Sequence, residues 1–401
     1  MLAVKEARPA HIPDDLVVDF DVYDPAGPGE DFHAAWVRFQ QSTPHPLVWS
    51  DRYGGHWIAV RGRDVFDVYG DHERFSSQVN TVPPATSRAP LGAIVLDPPQ
   101  HAPFRSFLNT GLSPKAVREL EPGVRELAIR LIEGFRPDGG CDFIKDFADV
   151  LPLTVFLDLV NVPLADRVML AEWSGIVTKV TEVEVRDTAS RNLRNYLRPL
   201  IAERRARPGE DMLSRIVHAE VDGRPLSDEE AVGACTHLLI AGLDTVSSLL
   251  GFVMRFLARN PEHRRQLRED PSRIRGAVKE LIRRFPLVVM SRQVRQDIEL
   301  HGVKLRQGDM ITIPSMLYNL DASEYPDPLA VDWERPVLAT CTFGAGVHRC
   351  PGAPLGQREV TIALEEWLPR IPDFWIDESL PQTVKGGVVA TLDRLPLRWA
   401  V

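Results

Sequence analysis

The stretch "TFGAGVHRCPGAP", Thr342 to Pro354, places Cys350, one of four cysteines in the chain, between glycine-bearing turns. A thiolate can ligate a metal or attack an electrophile. Gly344, Gly346 and Gly352 allow tight turns and close approach of the backbone to another group. Pro351 removes one backbone N–H, and helical sequence follows. A helix N-terminus carries unpaired N–H groups and a positive dipole end, so it is expected to lower the pKa of Cys350. On this residue alone, a small buried side chain in a turn explains the pattern as well as a ligand does.

Two further clusters carry chemistry. "AGLDTVS" sets Ala241, Gly242, Asp244 and Thr245 in the middle of an apolar run. An aspartate there is costly unless paired. The Thr245 hydroxyl can return to a carbonyl one turn back and bend a helix. In "ELIRRF", Glu280 and Arg283 are three apart and share a helix face. A solvated helix pair is the ordinary explanation for such spacing.

The elements that must position these residues are mainly helical. "SDEEAVGACTHLL" reads as a helix start, with Ser227 as cap and Glu230 completing a capping box. That helix is expected to run unbroken to about Asn260, where Pro261 stops it. The span Ser113 to about Arg205 repeats apolar residues every three or four positions. Helices are also expected over 64–69, 261–269, 271–285 and after Cys350. "LVWS" and "HWIAV" around "DRYGG" read as a hairpin. "DIELHGVKL" and "DMITIPS" read as strands, and "VVATL" with "PLRWAV" as a C-terminal hairpin. The class is mainly α with small β-sheets. Length alone suggests two or three domains.

The net charge of −9 comes from 47 basic and 56 acidic residues that are spread out, which argues against a general nucleic-acid binder. Cys141, Cys235 and Cys341 stand far apart with no CxxC pair, arguing against a zinc site or a disulfide framework. The N-terminus lacks an apolar core long enough for a signal peptide. His237, Asp244 and Arg255 interrupt the most apolar span, so a buried helix is expected rather than a membrane anchor, and a cytoplasmic location with it.

Phe343, Gly346, His348, Cys350 and Gly352 match FxxGx[HR]xCxG, the haem loop of the cytochromes P-450. Five positions in ten residues agree, so the signal is specific. Glu280 and Arg283 resemble the family's ExxR pair, with Arg335 of "DWERP" completing a structural network. Ala241, Gly242, Asp244 and Thr245 resemble its oxygen-binding groove. His101 and Arg105 of "HAPFR" resemble its HxxxR pair. The likeness extends along nearly the whole chain and looks closest to the bacterial camphor-hydroxylase branch.

The resemblance implies one P-450 domain over 1–401, with β-rich parts near 45–62, 293–316 and 384–400. It implies haem b held between the long central helix and the cysteine-loop helix, with Cys350 as the iron ligand. A thiolate ligand favours O–O cleavage. His101, Arg105, Arg292 and His348 would meet the propionates. Ala241, Gly242, Phe343, Gly344 and Gly352 would line the cofactor. Asp244 and Thr245 would handle protons. Electrons would come from a 2Fe-2S ferredoxin and a flavin ferredoxin reductase, with Arg105, Arg349 and Arg358 near the docking side.

The implied substrate is a small hydrophobic terpenoid. Leu287, Val288, Val289, Ile240, Val388 and Val389 match apolar pocket positions. The loop "NTVPPATSRAPLGAIVLDPP" contains no tyrosine, and Ala89 stands near where the camphor enzyme has one. Losing a donor to a buried ketone typically costs about 1 kcal/mol or more. An ionone-like norisoprenoid is therefore preferred to camphor. Met290 stands where the branch has an acid near the propionate. His237 is either a core histidine bonded to a carbonyl or a donor facing the substrate. A haem-thiolate peroxygenase and a haem sensor or carrier are the other readings. The Asp244–Thr245 pair argues against both.

Overall fold

The computed structural model describes residues 8–27, 29–85, 92–221, 223–337 and 339–401. Most are helical, with short strands gathered into small sheets.

The capping box forms as expected. Ser227 accepts from the Glu230 N–H, and the Glu230 carboxylate accepts from the Ser227 N–H at 2.8 Å. The helix it starts is not continuous. It runs Asp228–Gly242, breaks at Leu243 and Asp244, and resumes as Thr245–Arg259. At the break the Thr245 Oγ1 donates to the Ala241 carbonyl at 3.2 Å, whereas the Asp244 carbonyl accepts both the Ser248 N–H at 3.1 Å and its Oγ at 2.9 Å as the second segment begins. The Thr245 hydroxyl competes with the backbone ladder. Asp244 takes φ −136°, ψ −27°. Gly242 is needed for packing, because a Cβ there would lie 2.2 Å from the Phe156 ring. By length and composition Asp228–Arg259 could cross a membrane, yet 61% of its apolar window is buried inside the protein.

Around this broken helix pack Leu151–Val160, Arg167–Lys179 and Val183–Ala206 on one side. Pro114–Phe135 and Ile274–Arg284 pack against Ala353–Arg370, the helix that follows Cys350. The helix expected over 64–69 extends over Gly62–Gly70. Pro261–Glu269 is as expected, and the expected 271–285 element is a 3-10 turn, Pro271–Arg273, leading into Ile274–Arg284.

Leu47–Ser50 and His56–Ala59 form the expected hairpin, with Trp49 opposite Trp57. Met310–Pro314 pairs parallel to it and antiparallel to Val289–Val294. The C-terminal hairpin does not form. Thr391–Leu392 pairs instead with Val384–Lys385, and Pro396–Arg398 pairs with both Trp375–Ile376 and Gly140–Asp142. Asp142 anchors the switch by accepting the Leu395 N–H at 3.1 Å, and Phe143 N–H donates to the Leu395 carbonyl at 2.8 Å. The four cysteines are free.

Candidate active site

Glycine geometry shapes the Cys350 loop. Gly344 and Gly346 sit at φ +67° and +65°, and a Cβ on Gly346 would lie 2.8 Å from Gly70 Cα. The Cys350 N–H donates to the Phe343 carbonyl at 2.7 Å, closing the loop. Asn319 holds the loop's entry: its Oδ1 accepts from the Cys341 N–H at 2.8 Å, and its Nδ2 donates to Thr342 Oγ1 at 2.6 Å. Gly352 caps Ala353–Arg370, and the Gly352 and Ala353 N–H groups face the sulfur.

Cys350 corrects one expectation. Burial of its sulfur among protein atoms pushes the thiol up, although the Gly352 and Ala353 N–H groups, Arg105 and Arg349 oppose this. The helix terminus acts in the expected direction, but desolvation outweighs it. The residue as a whole borders a cleft of about 710 Å³ whose lining cations include Arg105, Arg275, Lys279, Arg349 and Arg358.

Near this loop lies a cluster of nitrogen-bearing side chains, with the buried Asp97 carboxylate acting on His101 and Arg292 but bonded to neither among the described residues. The His101 and His348 rings stand 4.4 Å apart, and both Nε2 atoms are buried without a partner. Arg292 is 3% exposed; its Nη1 donates to the Ser291 carbonyl at 2.8 Å and its guanidinium lies over Tyr69. Burial, then Arg292, His101 and Arg105, drives His348 down to about 3. Burial and Arg105 also lower His101. Arg105 donates to Asn109 Oδ1 at 2.9 Å and to the Arg349 carbonyl. Sequence reasoning missed Tyr69, under the Arg292 guanidinium, and His72, which stands near both histidines. A buried guanidinium beside two uncharged imidazoles whose Nε2 atoms have no partner among the described residues suits a ligand that brings carboxylates.

Glu280 and Arg283 do form a buried pair, at 2.7 Å, with side chains 1% and 0% exposed. Arg335 Nε reaches Glu280 Oε1 at 3.1 Å. Arg283 also donates to the carbonyls of Asn319, Pro328 and Ala330 at 2.9–3.0 Å. Asn319 thus ties the pair to the cysteine loop.

At the helix break, Ala241 is exposed although its helix crosses the core, so open space borders it. Asp244 is paired: Lys179 Nζ lies 2.7 Å from Oδ1, and Thr178 Oγ1 lies 3.3 Å from Oδ2. Nothing in the spacing of the sequence announced either partner.

Five of the six apolar residues expected to line a pocket, Leu287, Val288, Val289, Val388 and Val389, come together through backbone bonds. Val288 bridges Val389, the Val289 N–H donates to the Val388 carbonyl at 2.9 Å, and the Ala390 N–H to that of Leu287 at 2.8 Å. The Ile240 carbonyl accepts from Ser174 Oγ at 3.3 Å. His237 Nδ1 is buried without a well-formed bond, although the Gly233 carbonyl is near, and burial pushes the imidazole down to about 4. The ring lies against Gly92, where a Cβ would come within 2.6 Å of Nδ1. Ala89 falls outside the described residues.

Comparison with known proteins resolves the family. The "Cytochrome P450" family model matches residues 183–370. Probable cytochrome P450 127A1 of Sinorhizobium fredii (strain NBRC 101917 / NGR234) is 36% identical over 402 residues, covering 98% of this chain and 97% of that protein. The chain belongs to the cytochrome P450 family.

Solved P450 structures agree. CYP101J2 matches with a TM-score of 0.90 at 41% identity, covering 99% of this chain and 100% of the other. CYP101C1 matches at 0.88 and 42%, covering 98% and 100%. They support the branch read from the sequence, that of the bacterial camphor hydroxylase. Relatives differ in substrate: the erythromycin C-12 hydroxylase of Saccharopolyspora erythraea is 36% identical over 347 residues, covering 83% of this chain and 86% of that protein. The protein is a P450 monooxygenase with haem as cofactor, and it takes O₂, a small-molecule substrate and electrons from redox partners. The His101 and His348 ring nitrogens, unpartnered among the described residues, and the buried Arg292 guanidinium, which has no ion pair among them, fit the two haem propionates.

Proposed function

We propose that this P450 hydroxylates a small terpenoid, an ionone-like norisoprenoid or a monoterpenoid ketone, in the cytoplasm. In this reading Cys350 ligates the iron, and His101, Arg105, Arg292 and His348 hold the propionates. Ala241, Gly242, Phe343, Gly344 and Gly352 surround the ring. When bound, haem supplies the activation of O₂, using two electrons and two protons to put one oxygen atom into a C–H bond and release the other as water.

The chain's own task is to exclude water, seat the substrate and move protons. Leu287, Val288, Val289, Val388, Val389 and Ile240 would form an apolar wall suited to a compact hydrocarbon. His237 would face the substrate as a donor. Asp244 would carry protons inward from solvent, and Thr245 would hold the accepting position by its hydroxyl. The observation that carries this is the placement of Asp244, paired with Lys179 at 2.7 Å, directly beside a hydroxyl that bonds the Ala241 carbonyl at a helix break. A peroxygenase or a gas carrier has no use for that arrangement.

Electrons would come from a 2Fe-2S ferredoxin served by a flavin reductase. The basic lining of the Cys350 cleft, with Arg105 and Arg349, supports an acidic donor, while Arg358 is already paired with Glu121 at 2.9 Å.

Titration with β-ionone and with camphor, read as a low-to-high spin shift, tests the substrate class. Tighter binding of camphor would reverse the preference. Thr245→Ala should keep O₂ consumption while diverting it to hydrogen peroxide; full coupling to product in that variant would remove Thr245 from the proton path.

A further inference from the structure

The pocket wall and Asp244 are joined by a backbone bridge. The Val388 carbonyl accepts from the Val289 N–H at 2.9 Å, on the pocket side. The Val388 N–H donates to the Thr178 carbonyl at 2.7 Å, at the last turn of Arg167–Lys179. Lys179 Nζ holds Asp244 at 2.7 Å, and the Thr178 hydroxyl, which shares its proton with the Ser174 carbonyl at 3.1 Å, lies 3.3 Å from the same carboxylate. One peptide unit on each side of Val388 therefore touches both structures.

Two glycines make this contact possible. Gly387 takes φ +143°, and a Cβ there would lie 2.7 Å from both the Thr178 carbonyl oxygen and Lys179 Cα. Gly386 rests on Tyr23, where a Cβ would fall 1.4 Å from the backbone oxygen. The turn is thus clamped between Tyr23 and the end of the Thr178–Lys179 helix, and a side chain fits at neither position.

We propose that the Gly386–Gly387–Val388 turn is a positioning element for Asp244, holding Thr178 and Lys179 against its carboxylate so that the pocket wall and the acid move as one unit. A substrate pressing on Val388 or Val389 then bears on the Lys179–Asp244 pair through two hydrogen bonds. The catalytic consequence rests on the proton role given to Asp244 above.

Gly387→Ala breaks the latch. In the haem-loaded enzyme, amide hydrogen exchange should rise in both 384–392 and 176–182, by up to about tenfold, the equivalent of one lost hydrogen bond. A rise confined to 384–392 overturns the proposal. With a ferredoxin and reductase supplied, Gly387→Ala and Lys179→Met should each change the fraction of O₂ appearing as peroxide. The double variant should do no more than the stronger single one, because both act on one pair. Multiplying effects overturn the coupling. If Gly387→Ala does not fold, Thr178→Val serves in its place. It keeps the gripped carbonyl and deletes the hydroxyl, so it should change the peroxide fraction without raising exchange in 384–392; an unchanged fraction overturns the proposal. Measurements with β-ionone and without added substrate keep the comparison independent of substrate identity. If exchange behaves as expected while Asp244→Asn leaves the peroxide fraction unchanged, the proton role of Asp244 fails and the mechanical latch stands.

Discussion

Glu280 and Arg283 meet three residues apart on one helix, whereas Lys179 and Asp244 meet across 65 residues of chain. The first pair is sealed, 1% and 0% exposed, and Arg283 has three carbonyl acceptors besides its carboxylate. The second keeps 24% and 13% of its side chains exposed and has one hydroxyl in support. Breaking a sealed pair strands a buried charge and typically costs about 3–5 kcal/mol. A pair that water can reach is worth about 1 kcal/mol or less. The difference suits their settings. The sealed pair fixes the floor of the cysteine loop through Asn319, and the open pair can part at little cost beside the helix break.

Arg283→Ala should show the largest effect, a loss of about 3–5 kcal/mol in denaturant unfolding together with a weakened hold on haem. A midpoint equal to that of the parent chain would erase the distinction between the pairs. Glu359 sharpens it by being a buried acid with no cation paired to it among the described residues. It is 2% exposed, its Oε1 has no partner, and burial alone pushes its carboxyl up to about 8 from 4.5. Between those values the unfolded chain ionises while the folded chain stays protonated. The folded state then binds more protons, so stability falls with rising pH by up to about 1.4 kcal/mol per unit. Glu359→Gln removes that slope, and its advantage over the parent should grow from pH 5 to pH 8. Parallel stability curves would show the acid to be solvated. Lys179→Met should change unfolding least, by about 1 kcal/mol or less. A loss of Arg283→Ala size there would make the second pair structural too.

The two pairs also differ in how far they could be read in advance. ExxR is a helical spacing, so the sequence placed Glu280 and Arg283 on one face, and "DWERP" pointed to Arg335. Asp244 and Thr245 were legible as an acid and a hydroxyl in an apolar run. Their bending of the helix was half legible: the hydroxyl-to-carbonyl bond was expected, but not the interruption at Leu243 and Asp244. Lys179 and Thr178 were invisible, because no local spacing links the end of one helix to the break in another. The C-terminal strands failed for the same reason. Alternation marks a strand, but Asp142 decided which edge Pro396–Arg398 would join.

By itself the sequence determined what depends on neighbours along the chain: the capped helix at Ser227, the glycine turns around Cys350, the face shared by Glu280 and Arg283. Tertiary structure alone decided what depends on distance through space and on water. It chose the cation that meets Asp244, brought His101, Arg105, Arg292 and His348 together from distant parts of the chain, and set desolvation of the Cys350 thiol against the helix end beneath it. Hydrogen-bond spacing is written in the order of residues; electrostatic solvation exists only once the chain has closed around a site.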